Sequence, residues 1–324
     1  MRAVRIHELT GPQGLRVDEV PEPEAGAGQV LIAVEACGVN FPDVLLSRGL
    51  YQFKPSPPFI PGGEAAGTVL AVGAGVTSVA PGDRVAATMI SGAFAERICA
   101  PELSVVKLPD GVSFEVGAAT LLTYATTYHA LVDRAALAAG ETLLVLGAAG
   151  GVGIAAVELG ALLGAKVIAG ASSAEKLAFC LEHGAKHGID YRAEDLKERI
   201  KALTSGNGVD VVYDPVGGAL AEPALRGMAW QGRYLVIGFA SGEIPKLPLN
   251  LVLLKGCAIV GVFWGSFAMR DPARNRRHAE QIFAWIAEGK LRPAIDAVLP
   301  FTEAGDALTR LEERRVKGKI VLRP

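Results

Sequence analysis

The segment "TLLVLGAAGGVGIAAVELG", residues 142–160, is the most informative part of the chain about its fold. An apolar run of strand length leads through a glycine-rich turn into an Ala-rich helical segment. The turn contains Gly147, Gly150, Gly151, Val152 and Gly153. Glycines at such a turn let backbone N–H groups approach a pyrophosphate, and the helix N-terminus adds a partial positive charge. The stretch therefore predicts a dinucleotide-binding loop; a packing turn without a ligand is the alternative.

The sequence pattern differs between the two parts of the chain that this loop separates. From Glu141, apolar strands such as "VDVVYD" (209–214) alternate with helical segments, which is typical of a parallel sheet covered on both faces. Before about residue 122, short Val- and Ile-rich strands bounded by Gly and Pro predict a small barrel or partly open sheet. We predict an α/β fold in which residues 1–122, completed by about 267–324, form a β-rich domain. Residues 123–266 then form a Rossmann domain with a doubly wound parallel sheet.

Composition and charge exclude several function classes. The 324 residues carry a net charge of −2, which disfavours nucleic acid and anionic membranes as partners. No apolar run approaches the roughly 18 residues of a membrane span, and the N-terminus lacks the apolar core of a signal peptide. The four cysteines show no paired spacing. A cytoplasmic protein without disulfides is expected.

The residues after the next strand bear on which dinucleotide binds. In NAD enzymes a carboxylate about 20 residues beyond the loop holds the ribose hydroxyls. Here Ala171, Ser172 and Ser173 stand at that place, followed by Lys176. The two hydroxyls and the lysine suit the 2′-phosphate of NADP, which we favour over NAD. Ser172 is also a plausible helix cap, and the two roles are compatible.

A second stretch, "ACGVNFPDVLLSRGLY" (36–51), raises a separate question. Asn40, Asp43 and Tyr51 interrupt an otherwise apolar segment. A buried polar group without a partner costs about 1–3 kcal/mol. These side chains therefore need either hydrogen-bond partners or a task.

Several motifs together resemble one family. They are "GVNFPDVLLSRGLY" (38–51), "PGGEAAGTVLAVGAGV" (61–76), "GETLLVLGAAGGVG" (140–153), "GAKHGIDYRAEDL" (184–196), "VDVVYDPVGG" (209–218) and "GKIVL" (318–322). Over nearly its whole length the chain resembles the zinc-independent quinone oxidoreductases (zeta-crystallin-like) of the medium-chain dehydrogenase/reductase superfamily. The resemblance implies a GroES-like catalytic domain, a Rossmann cofactor domain and an active-site cleft between them. The departures are Glu158, where the family usually carries Gln, and Ala161, where it usually carries a basic or small polar residue.

The resemblance also implies a site without metal. Zinc alcohol dehydrogenases carry Cys at the place of Asn40, His at the place of Gly63 and Cys roughly at Leu122. None of these residues is a usual zinc ligand, and Glu64 alone cannot supply the three that a catalytic zinc needs. Without a Lewis acid, reduction of a conjugated acceptor is easier than oxidation of a simple alcohol.

The family assigns roles to the polar residues of the second stretch. Asn40 is expected near the nicotinamide ribose and the substrate, as a cofactor-binding or orienting residue in catalysis. Tyr51 is either a proton donor to developing enolate charge or an aromatic wall of the cleft. Asp43 is expected to hold its loop by hydrogen bonds, with general acid as the alternative.

Further cofactor contacts are implied by the same resemblance. Thr127 is expected at the nicotinamide end, Tyr191 along the adenosine phosphate, and Phe263 near the nicotinamide amide. Gly238 and Phe239 end a strand at the carboxyl edge of the sheet, where ligands of open α/β sheets bind. Lys319 is either a contact to a cofactor phosphate or a surface lysine. His129 is expected to be a satisfied helix residue.

Three functions remain open from the sequence. The first is NADPH-dependent hydride transfer, without flavin or metal, to a quinone or enone substrate. The second is a 2-enoyl-thioester reductase with Tyr51 as proton donor. The third is a cofactor-binding structural or RNA-interacting protein. The family also implies a homodimer, with "CAIVGVFWG" (257–265) as an exposed edge of the cofactor sheet or, alternatively, as a buried central strand.

Overall fold

The structure is a computed structural model that describes all residues, 1–324, in two compact units. The first unit consists of Met1–Ala125 and Ala268–Pro324, and the second of Thr126–Phe267. Both division points fall inside helices. Each unit contains its own sheet.

The secondary structure alternates in chain order as follows. The strands are β1 (Arg2–Ile6), β2 (Leu15–Glu19), β3 (Gln29–Val39), β4 (Glu64–Val72), β5 (Arg84–Thr88), β6 (Arg97–Pro101), β7 (Val105–Lys107), β8 (Thr142–Leu146), β9 (Lys166–Ala171), β10 (His187–Asp190), β11 (Val209–Asp214), β12 (Met228–Val236), β13 (Ala258–Gly261), β14 (Ile295–Pro300) and β15 (Lys319–Arg323). The helices are α1 (Phe41–Ser47), α2 (Phe114–Ala118), α3 (Leu121–Tyr128), α4 (Gly151–Leu162), α5 (Ala174–Glu182), α6 (Leu196–Leu203), α7 (Ala221–Arg226), α8 (Leu249–Lys255), α9 (Trp264–Arg270), α10 (Pro272–Ala287) and α11 (Ala304–Glu312). A π-helical segment, His129–Arg134, continues α3.

The first unit is built around one sheet of mainly antiparallel strands. Its strand order is β14-β15-β3-β4-β5-β7, with β6 also paired to β3, while β1 and β2 form a separate antiparallel pair. Along β3 the side chains alternate, so that Val30, Ile32 and Val34 enter the core. This is the period of two expected of a strand with one face buried. The C-terminal strand β15 pairs with the end of β3, which brings Lys319 next to the residues that begin α1.

The second unit is a six-stranded parallel sheet. The spatial order is β10-β9-β8-β11-β12-β13, so the chain starts in the middle, builds to one side, and then returns to build the other. The strands β8, β9 and β11 are buried almost throughout, which explains their continuous apolar sequences. The predicted α/β class and doubly wound parallel sheet are confirmed. In such a sheet, ligands bind at the carboxyl ends of the strands, where the order reverses.

The strand β13 forms one edge of this sheet, and most of it is exposed. The alternative of a buried central strand for "CAIVGVFWG" is therefore wrong. Large apolar side chains are exposed on and beside this edge, namely Trp230, Leu249, Leu253, Leu254, Ile259 and Phe263. No helix of the chain is both long and apolar enough to span a membrane.

Candidate active site

The glycine loop joins the end of β8 to the start of α4. Gly147 adopts φ +58°, a left-handed conformation that favours glycine, and Gly150 is the N-cap of the helix. A Cβ at Gly153 would overlap the carbonyl oxygen of Gly147, so only glycine lets the helix lie this close to the turn. No side chain caps α4. Its first N–H groups therefore point into the loop, an arrangement that fits a pyrophosphate.

The polar residues at the end of β9 lie at the start of the next helix. Ser173 is the N-cap of α5, and its hydroxyl accepts a hydrogen bond from the backbone N–H of Lys176 at 3.3 Å. The expectation that Ser172 caps this helix is therefore wrong, because the cap lies one residue later. Ser172 and Lys176 are both half-buried. The structure brings the two serines and the lysine together within one helical turn.

The remaining predicted cofactor residues lie at the carboxyl ends of neighbouring strands. Tyr191 follows β10; its N–H donates to the Ala171 carbonyl at 3.2 Å, and its ring lies beside Gly170. Gly238 and Phe239 follow β12, and Phe263 follows β13 with 61% of its surface exposed. Because the strands are parallel, these residues share one edge of the sheet with the glycine loop.

Thr127 contacts the glycine loop from α3. Its hydroxyl donates to the carbonyl oxygen of Val152 at 3.4 Å and shares a 2.9 Å hydrogen bond with the Tyr213 hydroxyl. Burial raises the pKa of the Tyr213 phenol, so this group stays protonated. Tyr213 was not among the residues expected from the sequence. It could have been found because its hydroxyl stands inside the apolar strand "VDVVYD", where a buried hydroxyl needs a hydrogen-bond partner.

Asp214 is a second residue that the sequence analysis missed. It ends β11, is buried, and accepts hydrogen bonds from the N–H groups of Val216 and Gly217 at 2.8 and 2.9 Å. Its other oxygen accepts from the Tyr234 hydroxyl at 2.5 Å. These bonds fix the turn after β11, at the same edge as the glycine loop. The sequence indicates such a residue by a carboxylate at the last position of an otherwise apolar strand.

In the first unit, Asp43 holds the start of α1 to a neighbouring loop. Its carboxylate accepts from the N–H of Asn40 at 2.8 Å and from the N–H of Gly62 at 3.1 Å. Burial raises the pKa of Asp43 to about 7, although the hydrogen bond from Asn40 and the charge of Lys319 oppose the rise. The structure thus places Asp43 in the loop-holding role expected of it.

Asn40 and Lys319 meet in a buried cluster with Glu64. The Lys319 ammonium donates to Asn40 Oδ1, to Glu64 Oε1 at 2.8 Å and to the Val39 carbonyl at 2.8 Å. Lys319 is only 4% exposed, so the alternative of a surface lysine is wrong. An ammonium has three N–H donors and all three are used here. The expected contact of Lys319 with a cofactor phosphate is therefore not supported by its geometry. Glu64 lies at the centre of the cluster, a role that its residue type and position in the sequence do not indicate.

Tyr51 lies outside this hydrogen-bonded cluster. It is half-buried, and the pKa of its phenol is raised by burial and, secondarily, by the negative charge of Asp43. The phenol therefore keeps its proton at neutral pH. This is compatible both with a proton donor and with an aromatic wall.

Comparison with known proteins gives the family. Residues 26–110 match the alcohol dehydrogenase GroES-like domain, and residues 151–283 match the family described as zinc-binding dehydrogenase. The quinone oxidoreductase-like protein 2 homolog of Nematostella vectensis is 40% identical over 324 residues, which covers 99% of this chain and 88% of that protein. The chain belongs to the quinone oxidoreductase family.

Two solved structures share the whole fold. The quinone oxidoreductase of Escherichia coli, solved as a complex with NADPH, is 31% identical with a TM-score of 0.94, and the match covers 100% of both chains. A mycobacterial protein, also solved with NADPH, is 34% identical with a TM-score of 0.93 over 100% of both chains. The GroES-like domain and the Rossmann-type sheet expected from the sequence are confirmed, and the chain is an oxidoreductase of the medium-chain superfamily.

The description of one matched family names zinc, but the residues of this quinone oxidoreductase family member do not fit a zinc centre. Nowhere in the chain do three His, Cys, Asp or Glu side chains cluster so that they could hold a metal ion. Gly63 has no side chain, and Leu122 packs beside it with an apolar one. Glu64 is already engaged by Lys319, by Asn40 Nδ2 at 2.9 Å and by the Leu122 N–H at 2.8 Å. Its carboxylate therefore has protein partners on both oxygens.

Two polar residues away from these clusters are satisfied within the second unit. Glu158, the departure from the usual family Gln, is buried in α4 and pairs with His183 Nδ1 at 2.6 Å. His129 pairs with Asp133 at 2.7 Å and stacks on the Phe267 ring with 4.0 Å between centroids. The expectation that His129 is a satisfied helix residue agrees with this geometry.

Proposed function

We propose that this protein is an NADPH-dependent reductase that transfers a hydride to a quinone or another conjugated, electron-poor acceptor without metal or flavin. The observation that carries the proposal is the edge of the parallel sheet, where a glycine loop precedes two serines and a lysine instead of a ribose-binding carboxylate. The E. coli relative solved with NADPH supports the choice of cofactor. When bound, NADPH supplies the hydride.

The residues would divide the cofactor among them as follows. The loop from Gly147 to Gly153 offers backbone N–H groups to the pyrophosphate. Ser172, Ser173 and Lys176 are proposed to bind the 2′-phosphate, because hydroxyls and an ammonium are suitable donors to it. The proposed contacts to the adenosine and nicotinamide ends are Tyr191, Thr127, Gly238, Phe239 and Phe263. Asn40 is proposed to orient cofactor or substrate.

The electrostatics of the first unit support this choice of substrate class. No residue cluster supplies a Lewis acid for an alkoxide, and the ammonium of Lys319 is consumed within the protein. A quinone or enone disperses the negative charge that hydride addition creates, so it needs less stabilisation from the protein. For such an acceptor we propose that Tyr51 is chiefly an aromatic wall of the substrate site, although its raised pKa keeps the phenol protonated at neutral pH.

The same property of Tyr51 favours a second candidate function. A 2-enoyl-thioester reductase must protonate an enolate after hydride addition, and a half-buried phenol that is protonated at neutral pH suits that step. In this function Tyr51 is the proton donor, whereas with a quinone it is chiefly a wall of the substrate site.

One assay separates the candidates. NADPH consumption is measured with an ortho-quinone, a para-quinone and crotonyl-CoA, each repeated with NADH and with a chelator. Chelator-insensitive turnover of quinones with NADPH supports the leading proposal. Faster turnover of crotonyl-CoA, abolished in Tyr51→Phe, supports the enoyl reductase instead. If NADPH is consumed with none of the three acceptors, both candidate functions are contradicted.

We also propose that the protein is a homodimer joined through the edge strand β13. An exposed strand edge with unpaired backbone groups invites pairing with another strand, and the apolar side chains around it would be covered by a second copy. A twofold axis would pair β13 with its own copy, which satisfies both edges at once. Sedimentation of the purified protein at several concentrations tests this, and a monomer at high concentration contradicts it.

A further inference from the structure

Lys319 is a buried lysine whose hydrogen-bonding capacity is spent inside the first unit. Its Nζ lies 2.8 Å from the Val39 carbonyl and 2.8 Å from Glu64 Oε1, and it also donates to Asn40 Oδ1. Three donors and three acceptors match, so the ammonium is saturated. Lysine is almost never this deeply buried without a partner. Whatever Lys319 does, it does through these three groups.

The cluster fixes which way the Asn40 amide points. Oδ1 faces the ammonium, while Nδ2 donates to the Gly38 carbonyl at 3.1 Å and to Glu64 Oε1 at 2.9 Å. The reversed amide would set its NH₂ group against an ammonium and its oxygen against two other oxygens. Both N–H donors are therefore used, and Oδ1, which also faces the backbone N–H of Asp43, keeps at most one lone pair for a ligand.

The ion pair has features of a device for orientation rather than for stability. Glu64 is fully buried, and a Cβ at position 38 would lie 2.5 Å from its Oε1, so Gly38 makes room for the carboxylate. Taking two charges out of water is costly, and apolar side chains of similar volume often replace such a pair without loss of stability. The effect of this ion pair that the structure shows is to hold the Asn40 side-chain amide in a single orientation.

We propose that Lys319 is a positioning residue for Asn40: with Glu64 it holds the side-chain amide so that Asn40 can accept one hydrogen bond from a bound ligand and donate none. The group recognised is then a hydroxyl or N–H of the cofactor or substrate, not a carbonyl oxygen. This rests on the proposed function, in which Asn40 contacts one of these ligands.

The first test reads the amide itself and does not depend on turnover. The chain has four asparagines, and Asn207, Asn250 and Asn275 are not buried. In protein labelled with ¹⁵N at asparagine, the side-chain amide of Asn40 should exchange with D₂O at least about tenfold more slowly than the other three. Lys319→Met should remove this protection, whereas the Asn40 backbone N–H, which donates to Asp43, should stay protected. Lys319→Arg should restore part of the side-chain protection.

The second test is a double-mutant cycle on activity. Lys319→Met and Asn40→Ala should each lower kcat/KM by about 10- to 100-fold, and their combination should be no worse than Asn40→Ala alone, because the lysine acts through the asparagine. Arg233→Met is the matched control, since it breaks a half-buried ion pair with Glu141 in the second unit. It should change kcat/KM by less than about twofold.

Different outcomes overturn the two proposals. Unchanged exchange of the Asn40 side-chain amide in Lys319→Met, or additive losses in the cycle, overturns the positioning role. If Lys319→Met does not fold, the variant Lys319→Met/Glu64→Gln removes the unpaired carboxylate and takes its place in both tests. If this double variant leaves the Asn40 side-chain amide protected from exchange, the positioning role is also overturned. Wild-type protein that turns over no acceptor contradicts the proposed function, while the exchange experiment still decides the role of Lys319.

Discussion

The buried carboxylate of Asp43 predicts a measurable dependence of stability on pH. Its pKa is raised from 3.8 to about 7 in the folded protein, chiefly by burial. Between these values the unfolded chain releases the proton first, so the free energy of unfolding falls as pH rises. The contribution is fully present below pH 4 and is lost by about pH 7. Its loss amounts to about 1.4 kcal/mol per pH unit over this range, or about 4 kcal/mol in all.

The substitution Asp43→Asn isolates this contribution. Asparagine presents one oxygen to two N–H donors, those of Asn40 and Gly62, and leaves one of them facing its NH₂ group. An unsatisfied buried donor costs about 1–3 kcal/mol, so at pH 5 the wild type should be more stable than the variant. From pH 5 to pH 8 the unfolding free energy of the wild type should fall by about 2–3 kcal/mol more than that of the variant, because asparagine does not titrate. The advantage of the wild type should then be close to zero or reversed.

The assay is urea unfolding at pH 5, 6, 7 and 8. Trp285 is the one tryptophan of the first unit, so Trp230→Phe and Trp264→Phe make its fluorescence report on that unit alone. Asp83→Asn is the control: Lys107 lowers the pKa of Asp83, and its titration therefore lies below the range tested. If the difference in unfolding free energy between wild type and Asp43→Asn stays constant from pH 5 to pH 8, the pKa of Asp43 is not raised in the folded protein.

Three further predictions concern the second unit. Lys176→Met should raise KM for NADPH by about 10- to 100-fold and leave KM for NADH nearly unchanged, since one charge-assisted contact is worth about 1.5–3 kcal/mol. Steady-state assays measure both constants, and equal effects on the two cofactors would contradict the 2′-phosphate role. Gly153→Ala should weaken the binding of NADPH and NADH alike by at least about tenfold, because its Cβ overlaps the Gly147 carbonyl oxygen. Fluorescence titration with each cofactor measures the affinity, and an unchanged affinity would contradict binding of the pyrophosphate by the glycine loop. Ile259→Lys puts a charge on the exposed edge β13 and should convert the dimer to a monomer in sedimentation, whereas Lys166→Glu, on the same sheet but away from that edge, should not.

Local patterns carried most of the information about the second unit. The glycine loop and the buried strands could be read from the sequence because turn chemistry and strand periodicity depend on neighbouring residues. The cap of α5 was misplaced by one residue, since Ser172 and Ser173 are equally good caps by type and only the backbone course decides between them. The strand "CAIVGVFWG" was ambiguous because an apolar run does not distinguish an edge from a centre.

The buried cluster of the first unit could not be read from the sequence in the same way. Lys319 lies 255 residues from Glu64 and 279 from Asn40 along the chain, so no spacing pattern connects them. Taken by type, a lysine at the start of a terminal strand is most often exposed, but Lys319 is buried. The pairing of β15 with β3 brings these residues together.

The α/β class and the glycine loop that opens the parallel sheet could be read from the sequence, because they depend on residue types and short spacings, which act locally. That Asn40, Gly63 and Leu122 stand at the places of zinc ligands was implied by the family resemblance. The tertiary structure alone decided that Lys319 faces inward, that Asp43 has a pKa near 7, and that β13 lies at an edge. The physical reason is that burial and charge pairing depend on which distant segments meet, and that is settled only when the strands pair.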